Sequence, residues 1–246
     1  MNSIKAVIFD FIGTLVNVEG YNLEDSKKKL YNAIFNSGFR ISPEEFLEAY
    51  TRSHEKFRSI RYQKMVEVTN AVWISDALNT LGFKTTPSDL PIKTAVNMFF
   101  EDYVNSFRLR KCAKKILKRL SEDYKLGLVS NFTYAPVIYA GLRKVGINGF
   151  FNAVVVSDAV GWRKPHEKIF VEALKRLNVK AEEAIYVGDS PDEDIEGAGG
   201  IGMKTVLVQS QFNPLKENFK SFKKPDATAK NLCQAYEKIM EIANLQ

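Results

Sequence analysis

The chain has 246 residues, 45% of them hydrophobic, and carries a formal net charge of +6 at pH 7. This size and composition are typical of a globular protein with one large domain, or with a core domain and an insertion. No apolar run approaches the roughly 18 residues that a membrane span requires, and the N-terminal residues resemble a strand rather than a secretory signal. We therefore expect a cytoplasmic protein with no membrane partner.

The basic residues and the two cysteines were the other features of composition that could indicate a function. Lys and Arg are spread along amphipathic stretches such as 108–120, as on a solvated helix face, so we expect no nucleic-acid partner. The net charge would at most attract small anionic substrates. Cys112 and Cys233 form no metal-ligand pattern, and we expect both to be reduced thiols.

Residues 4–15 form the most informative stretch, Ile-Lys-Ala-Val-Ile-Phe-Asp-Phe-Ile-Gly-Thr-Leu. The apolar residues up to Phe9 do not alternate cleanly with polar ones, which predicts a parallel strand buried on both faces. Asp10 follows at the carboxyl end of this strand, where open α/β sheets bind their ligands. Asp10 is thus a candidate nucleophile or metal ligand, and the alternative is a carboxylate that only caps a helix.

The rest of the chain divides into two patterns. Residues 17 to about 107 give helical signals, over 23–37, after the capping box at 42–45, over 72–81 and over 92–103. From about 108, short apolar runs at 126–129, 153–156, 184–187 and 205–208 alternate with helices, two of them predicted over 136–145 and 165–177 and a last one over 229–242. This alternation predicts an α/β fold with a parallel sheet and a helical insert.

Polar residues follow several of these strands and can meet at one edge of the sheet. They are Asp10, Ser130, Asn131, Asp189, Asp192 and Asp194. Lys164 precedes Pro165, which is predicted to occupy the first turn of a helix and so to place Lys164 beside a helix N-terminus. Crowded carboxylates repel each other unless a cation intervenes, and Mg²⁺ prefers oxygen ligands. We therefore expect a Mg²⁺ site that also binds a phosphoryl group through Lys164, Ser130, Asn131 and backbone N–H groups.

Four segments together resemble the four motifs of the haloacid dehalogenase superfamily of hydrolases. They are Asp10-Phe-Ile-Gly-Thr-Leu, Val129-Ser130-Asn131, Gly161-x-x-Lys164-Pro165 and Gly188-Asp189-Ser190-x-x-x-Asp194. The resemblance implies a Rossmann-like three-layer core over 1–16 and 108–246. It also implies a helical-bundle cap domain over 17–107, because the spare length lies between the first two motifs. Such a cap would exclude water and select the substrate.

The resemblance also implies a role for each candidate residue. Asp10 would attack phosphorus to give an aspartyl intermediate. Asp10, Asp189 and the backbone carbonyl of Ile12 would bind Mg²⁺. Asp194 would support the water ligands of the ion. The hydroxyls of Thr14 and Ser130 would position the phosphoryl group, and the ammonium of Lys164 would neutralise its charge. The implied function is hydrolysis of a small phosphorylated substrate.

Ile12 departs from the family pattern. Phosphatases of the family usually carry a second Asp two residues after the nucleophile as general acid and base, and losing such catalysis typically costs about 10²- to 10⁴-fold. Hydrolysis of a carbon–halogen bond, as in a 2-haloacid dehalogenase, is therefore one alternative function. Dehalogenases need no metal, however, and the acidic fourth motif argues for retained Mg²⁺. A phosphate-binding or regulatory protein without turnover is another. His54, in the predicted cap, could supply the missing proton transfer, or could simply be packed or solvated there.

Overall fold

The structure is a computed structural model that describes residues 3–214 and 223–244. Its chain divides into two compact units. Met1–Val18 and Phe107–Gln246 form the first, which we call the core unit, and Glu19–Ser106 form the second, which we call the helical unit. Every helix within the described ranges is too short or too polar to cross a membrane.

The core unit is built on a six-stranded sheet in which all neighbouring strands are parallel. The strands of the described residues, in chain order, are β1 (Ala6–Phe9), β2 (Val16–Val18), β3 (Phe107–Leu109), β4 (Lys125–Ser130), β5 (Ala153–Val156), β6 (Ala184–Gly188), β7 (Lys204–Val208) and β8 (Ala227–Ala229). The order in the sheet is β5-β4-β1-β6-β7-β8, while β2 and β3 form a separate antiparallel pair. The predicted α/β class and parallel sheet are confirmed.

The position of β1 between β4 and β6 determines where the site forms. Phe9 is in register with Leu128 of β4 and with Val187 of β6, so the three strands end at nearly the same level. All four residues of β1 are fully buried, as its unbroken apolar run predicts. The residues that follow β1, β4 and β6 therefore lie side by side at the carboxyl edge of the sheet.

Some helices pack on the sheet of the core unit, and others form the helical unit. In chain order they are α1 (Leu23–Asn36), α2 (Pro43–Lys64), α3 (Asn70–Thr80), α4 (Leu90–Asn105), α5 (Ala113–Asp123), α6 (Ala135–Lys144), α7 (Ser157–Val160), α8 (Glu167–Leu177), α9 (Glu196–Gly200) and α10 (Leu232–Asn244). The apolar face of α8 packs on the sheet, where Ile169, Phe170 and Leu177 join a buried cluster with Ile8 and Tyr186.

The helical unit contains α1 to α4, with α1 packed on α4 and α2 on α3. The predicted capping box begins α2. The Glu45 N–H donates to Ser42 Oγ at 3.3 Å, and the Ser42 N–H donates to Glu45 Oε2 at 3.2 Å. Both bonds satisfy backbone N–H groups that have no partner within the helix, so they define where α2 begins.

Three predicted helix starts are wrong. The last helix, predicted from 229, begins at Leu232, because Ala229 ends β8. The helix predicted over 108–120 begins only at Ala113, because Arg108 lies in β3 and its backbone pairs with β2. The helix predicted to start at Pro165 begins at Glu167. Lys164 and Pro165 instead lie in a turn closed by the His166 N–H, which donates to the Arg163 carbonyl at 2.9 Å. The first residue of α8 therefore lies three positions after Lys164, and Pro165 does not place Lys164 directly beside it.

The prediction of two reduced cysteines is also wrong. Cys112 and Cys233 form a disulfide, with their Cα atoms 5.5 Å apart and a sequence separation of 121 residues. Cys112 immediately precedes α5 and Cys233 lies in the first turn of α10, and these two helices pack against each other. The linear sequence did not reveal that packing, so the pairing could not be derived from it.

Candidate active site

Three carboxylates meet at the carboxyl edge of the sheet. Asp10 follows β1, Asp189 follows the neighbouring β6, and Asp194 lies in a π-helical turn over Pro191–Ile195. All three are buried, and one oxygen atom of each lies within 4.8 Å of one from each of the others. Like charges packed so closely repel one another, so this cluster requires a nearby cation.

The ammonium group of Lys164 supplies one positive charge to this cluster. Its Nζ lies 2.8 Å from Asp10 Oδ1 and 2.6 Å from Asp194 Oδ1. The Tyr186 hydroxyl at 3.1 Å and the Val129 carbonyl at 3.3 Å complete its surroundings. Burial by itself would lower the pKa of Lys164, but the carboxylates of Asp10 and Asp194 raise the pKa well above its usual value. Lys164 is therefore protonated at neutral pH.

The single positive charge of Lys164 does not neutralise three carboxylates, and this affects the protonation of Asp10. Burial raises the pKa of Asp10 to about 7, against the attraction of Lys164, and the charges of Asp194 and Asp189 add to the rise. Asp10 Oδ2 is buried and has no hydrogen-bond partner among the described residues. An unpaired buried carboxylate oxygen is costly, so this atom is placed to bind a cation or to react.

Asp189 is held by side chains from two other segments. Its Oδ2 accepts hydrogen bonds from Ser210 Oγ at 2.6 Å and from Asn213 Nδ2 at 3.2 Å. Its Oδ1 lies 3.4 Å from the hydroxyl of Thr14, which is fully buried. Burial and the charge of Asp194 raise the pKa of Asp189, while the bonds from Ser210 and Asn213 lower it. Asp189 thus has a fixed direction within the cluster.

Two glycines permit the close approach of these groups. Gly13 has a φ of +97°, and a Cβ atom at this position would overlap the Asp189 carboxyl group. A Cβ atom at Gly188 would overlap the carboxyl group of Asp194 in the same way. Both positions therefore require glycine for steric reasons, and Gly13 also requires it for its backbone conformation.

The second motif lies beside Lys164. Ser130 ends β4 and is buried, and Asn131 follows it. The Lys164 N–H donates to Asn131 Oδ1 at 2.7 Å, and Asn131 Nδ2 donates to the Lys164 carbonyl and to Glu193 Oε2, both at 3.0 Å. The side chain of Asn131 therefore holds the main chain of Lys164 in place. Ile12 lies in the loop after β1, where it forms an isolated bridge with Val16.

Comparison with known proteins bears directly on this arrangement. A family model described as haloacid dehalogenase-like hydrolase matches residues 7–208. The chain belongs to this family. The glyceraldehyde 3-phosphate phosphatase of Methanothermobacter thermautotrophicus is 30% identical over 211 residues, covering 85% of this chain and 87% of that protein. The protein of the same name from Pyrococcus furiosus is 33% identical over 209 residues, covering 84% and 81%, respectively.

Solved structures agree on the fold. A 2-haloacid dehalogenase from Pseudomonas syringae pv. Tomato DC3000 superposes with a TM-score of 0.65 at 23% identity, covering 97% of this chain and 99% of that one. At this identity the likeness concerns the fold alone. The more similar sequence relatives carry phosphatase names, so the comparisons favour a phosphatase over a dehalogenase for this haloacid dehalogenase-like hydrolase.

Several contacts in this hydrolase were not predicted from its sequence. Tyr186, Glu193, Asn213 and Arg110 all bind a candidate residue or the backbone beside one. Tyr186 gives one usable signal, because it is a hydroxyl within the apolar buried run of β6. A buried Tyr hydroxyl usually has a hydrogen-bond partner, so a polar site nearby could have been inferred.

His54 lies in the helical unit, on α2. Its ring stacks on Tyr50 with the ring centres 6.2 Å apart, and meets Trp73 edge-on at 5.3 Å. Burial lowers the pKa of His54, and the charges of Arg61 and Arg58 lower it further. Within the helical unit, His54 is therefore a half-buried ring packed among aromatic side chains and biased towards its neutral form.

Proposed function

We propose that this hydrolase is a Mg²⁺-dependent phosphatase that acts on a small phosphorylated metabolite, with Asp10 as its nucleophile. The proposal is carried by one observation: Asp10 lies 2.8 Å from a buried ammonium, in a cluster with two further carboxylates. The relatives named glyceraldehyde 3-phosphate phosphatase support phosphoryl chemistry and make a three-carbon aldehyde phosphate the first substrate to test.

The chemistry proceeds in two displacements at phosphorus. An Asp10 oxygen forms a bond to phosphorus while the bond from phosphorus to the leaving oxygen breaks, and that oxygen departs with the electron pair and takes up a proton from solvent. Water then attacks phosphorus while the bond from phosphorus to Asp10 breaks, which releases inorganic phosphate, restores the Asp10 carboxylate and returns one proton to solvent. Lys164 offsets negative charge on Asp10 and on the phosphoryl oxygens, in a buried setting where such an interaction is stronger than in water.

The donor set of the cluster fits Mg²⁺. Three buried carboxylates share one ammonium, and Asp10 Oδ2 has no hydrogen-bond partner among the described residues. Asp10, Asp189 and the backbone carbonyl of Ile12 would hold the ion. Asp194 would support the ion less directly, since its two oxygens are already bonded to Lys164 and to the Ser190 N–H. Bound there, Mg²⁺ would offset the charge of the carboxylates and the phosphoryl group.

Three side chains would bind the phosphoryl group: Thr14, Ser130 and Lys164. Asn131 would contribute through its backbone N–H and by holding the main chain of Lys164, because its side-chain amide is already bonded to Lys164 and Glu193. The helical unit would be the cap that selects the substrate. Ile12 cannot protonate a leaving group, so turnover of alkyl phosphates would be slow.

A substrate panel tests the proposal. Phosphorylated metabolites and 2-haloacids are incubated with the wild type, with and without EDTA, and with Asp10→Asn and the surface control Asp123→Asn. We expect phosphate release that EDTA and Asp10→Asn abolish and that Asp123→Asn leaves unchanged.

Other outcomes would overturn the proposal in distinct ways. Halide release that persists in EDTA would identify a dehalogenase. Phosphorylated ligands that raise the melting temperature without being hydrolysed would identify a binding protein.

A further inference from the structure

Arg110 bridges two loops of the core unit. It follows β3, and its backbone N–H donates to the Leu15 carbonyl at 3.0 Å. One guanidinium nitrogen donates to the backbone carbonyls of Gly13 and Thr14, the latter at 3.1 Å. The other terminal nitrogen donates to the Gln209 carbonyl at 2.7 Å. A single side chain thus joins the loop after β1 to the loop after β7.

Both of these loops support the same carboxylate. The first carries Gly13, which packs directly against the Asp189 carboxyl group, and Thr14, whose hydroxyl lies 3.4 Å from Asp189 Oδ1. The second carries Ser210 and Asn213, which both donate to Asp189 Oδ2. Arg110 therefore fixes the distance between the two sets of groups that orient Asp189.

The chemistry of the side chain matters as much as its place. A guanidinium presents its donors in a rigid planar fork, so it can bind carbonyls on two segments at once, whereas a lysine ammonium is a point charge on a flexible stem. Burial lowers the pKa of Arg110, and the nearby Asp189 carboxylate partly offsets this effect.

We propose that Arg110 is a positioning residue that sets the Mg²⁺ affinity of the site by fixing Asp189. The inference rests on the proposed function, because it takes Asp189 as a ligand of the ion. A carboxylate that swings away from the ion loses part of its binding energy, and loss of a group that hydrogen-bonds a metal ligand directly typically weakens metal binding about 10- to 100-fold. Arg110 acts one contact further out, so its loss should have an effect at the lower end of this range.

Calorimetric titration of Mg²⁺ into the full chain without substrate tests this inference. The variants are Arg110→Lys and Arg110→Gln, and the matched control is Arg108→Gln, which removes the same charge from an exposed position on β3. We expect the Mg²⁺ Kd to rise roughly tenfold in Arg110→Gln and by less in Arg110→Lys, with Arg108→Gln within about twofold of the wild type. Saturating Mg²⁺ should restore most of kcat.

The outcomes separate this inference from the proposed function. A wild type that binds no Mg²⁺ would refute the proposed metal site itself. A wild type that binds Mg²⁺ with the same Kd as both Arg110 variants would refute only the role of Arg110, and a lower melting temperature with unchanged Kd would assign it a purely structural role. If Arg110→Gln does not fold, Arg110→Lys decides the matter alone.

Discussion

Replacing Lys164 with Met removes a buried charge and keeps most of the side-chain volume. The Lys164 ammonium lies 2.8 Å from Asp10 and 2.6 Å from Asp194, and all three side chains are buried. Removing one partner of a buried ion pair typically costs about 3–5 kcal/mol, because the remaining charges stay buried without compensation. We expect Lys164→Met to lower the free energy of unfolding by this amount near neutral pH in EDTA, which corresponds to a melting temperature lower by roughly 6–20 °C.

The pH dependence of this loss follows from proton binding. Burial already raises the pKa of Asp10 and of Asp189 in the wild type, and without the ammonium, which lowers both, the carboxylates keep their protons to still higher pH in the folded state. The folded state then binds more protons than the unfolded state above about pH 4, so the stability of the variant falls as pH rises. The difference between Lys164→Met and the wild type should therefore be smaller near pH 5 than near pH 7.5, as measured by scanning calorimetry in EDTA.

The matched control is Lys168→Met, which removes an exposed lysine from α8. Surface substitutions of this kind usually change the free energy of unfolding by no more than about 0.5 kcal/mol. The reasoning would be refuted if Lys164→Met were as stable as Lys168→Met at both pH values, because the carboxylates would then not depend on the ammonium.

Substitutions at three further positions probe separate features. Ile12→Asp should raise kcat on an alkyl phosphate by up to about 10²- to 10⁴-fold in steady-state assays, whereas Ile12→Asn should not; equal rates would show that position 12 does not limit proton transfer. Cys112→Ser removes the disulfide, which joins residues 121 positions apart, and should lower the free energy of unfolding measured in urea by up to about 5 kcal/mol. A wild type whose stability does not change when reductant is added would contradict this. His54→Gln should keep kcat within about twofold. Because the pKa of folded His54 is lowered, the folded state binds fewer protons, so the wild type should lose more stability than this variant on acidification below about pH 6.5; parallel pH profiles would refute this.

The sheet could be predicted, and the candidate carboxylates could be located, because their signals are local. The run at 153–156 corresponds to β5 without any change of bounds, since a strand buried on both faces is continuously apolar. Asp10 and Asp189 are candidates because polar side chains closely follow such runs. Their convergence then follows from the parallel arrangement of the strands.

The features that were missed depend on contacts between distant segments. Arg110 binds the Gln209 carbonyl across 99 positions of sequence, and nothing near either residue indicates this bond. The disulfide between Cys112 and Cys233 depends in the same way on the packing of α5 against α10. The start of α8 was misplaced because Pro165, although suited to a first helical turn, lies instead in the turn that presents Lys164 to Asp10.

Isotope labelling of a single turnover tests the role of Asp10 most directly. The enzyme is mixed with a substrate that it hydrolyses, in ¹⁸O-labelled water, quenched rapidly with acid and analysed by peptide mass spectrometry. We predict one phosphoryl group on the peptide that contains Asp10 early in the turnover, and later ¹⁸O in the released phosphate, with none in the Asp10 carboxylate. Turnover without a phosphoryl group on that peptide, or ¹⁸O in the Asp10 side chain, would contradict the account.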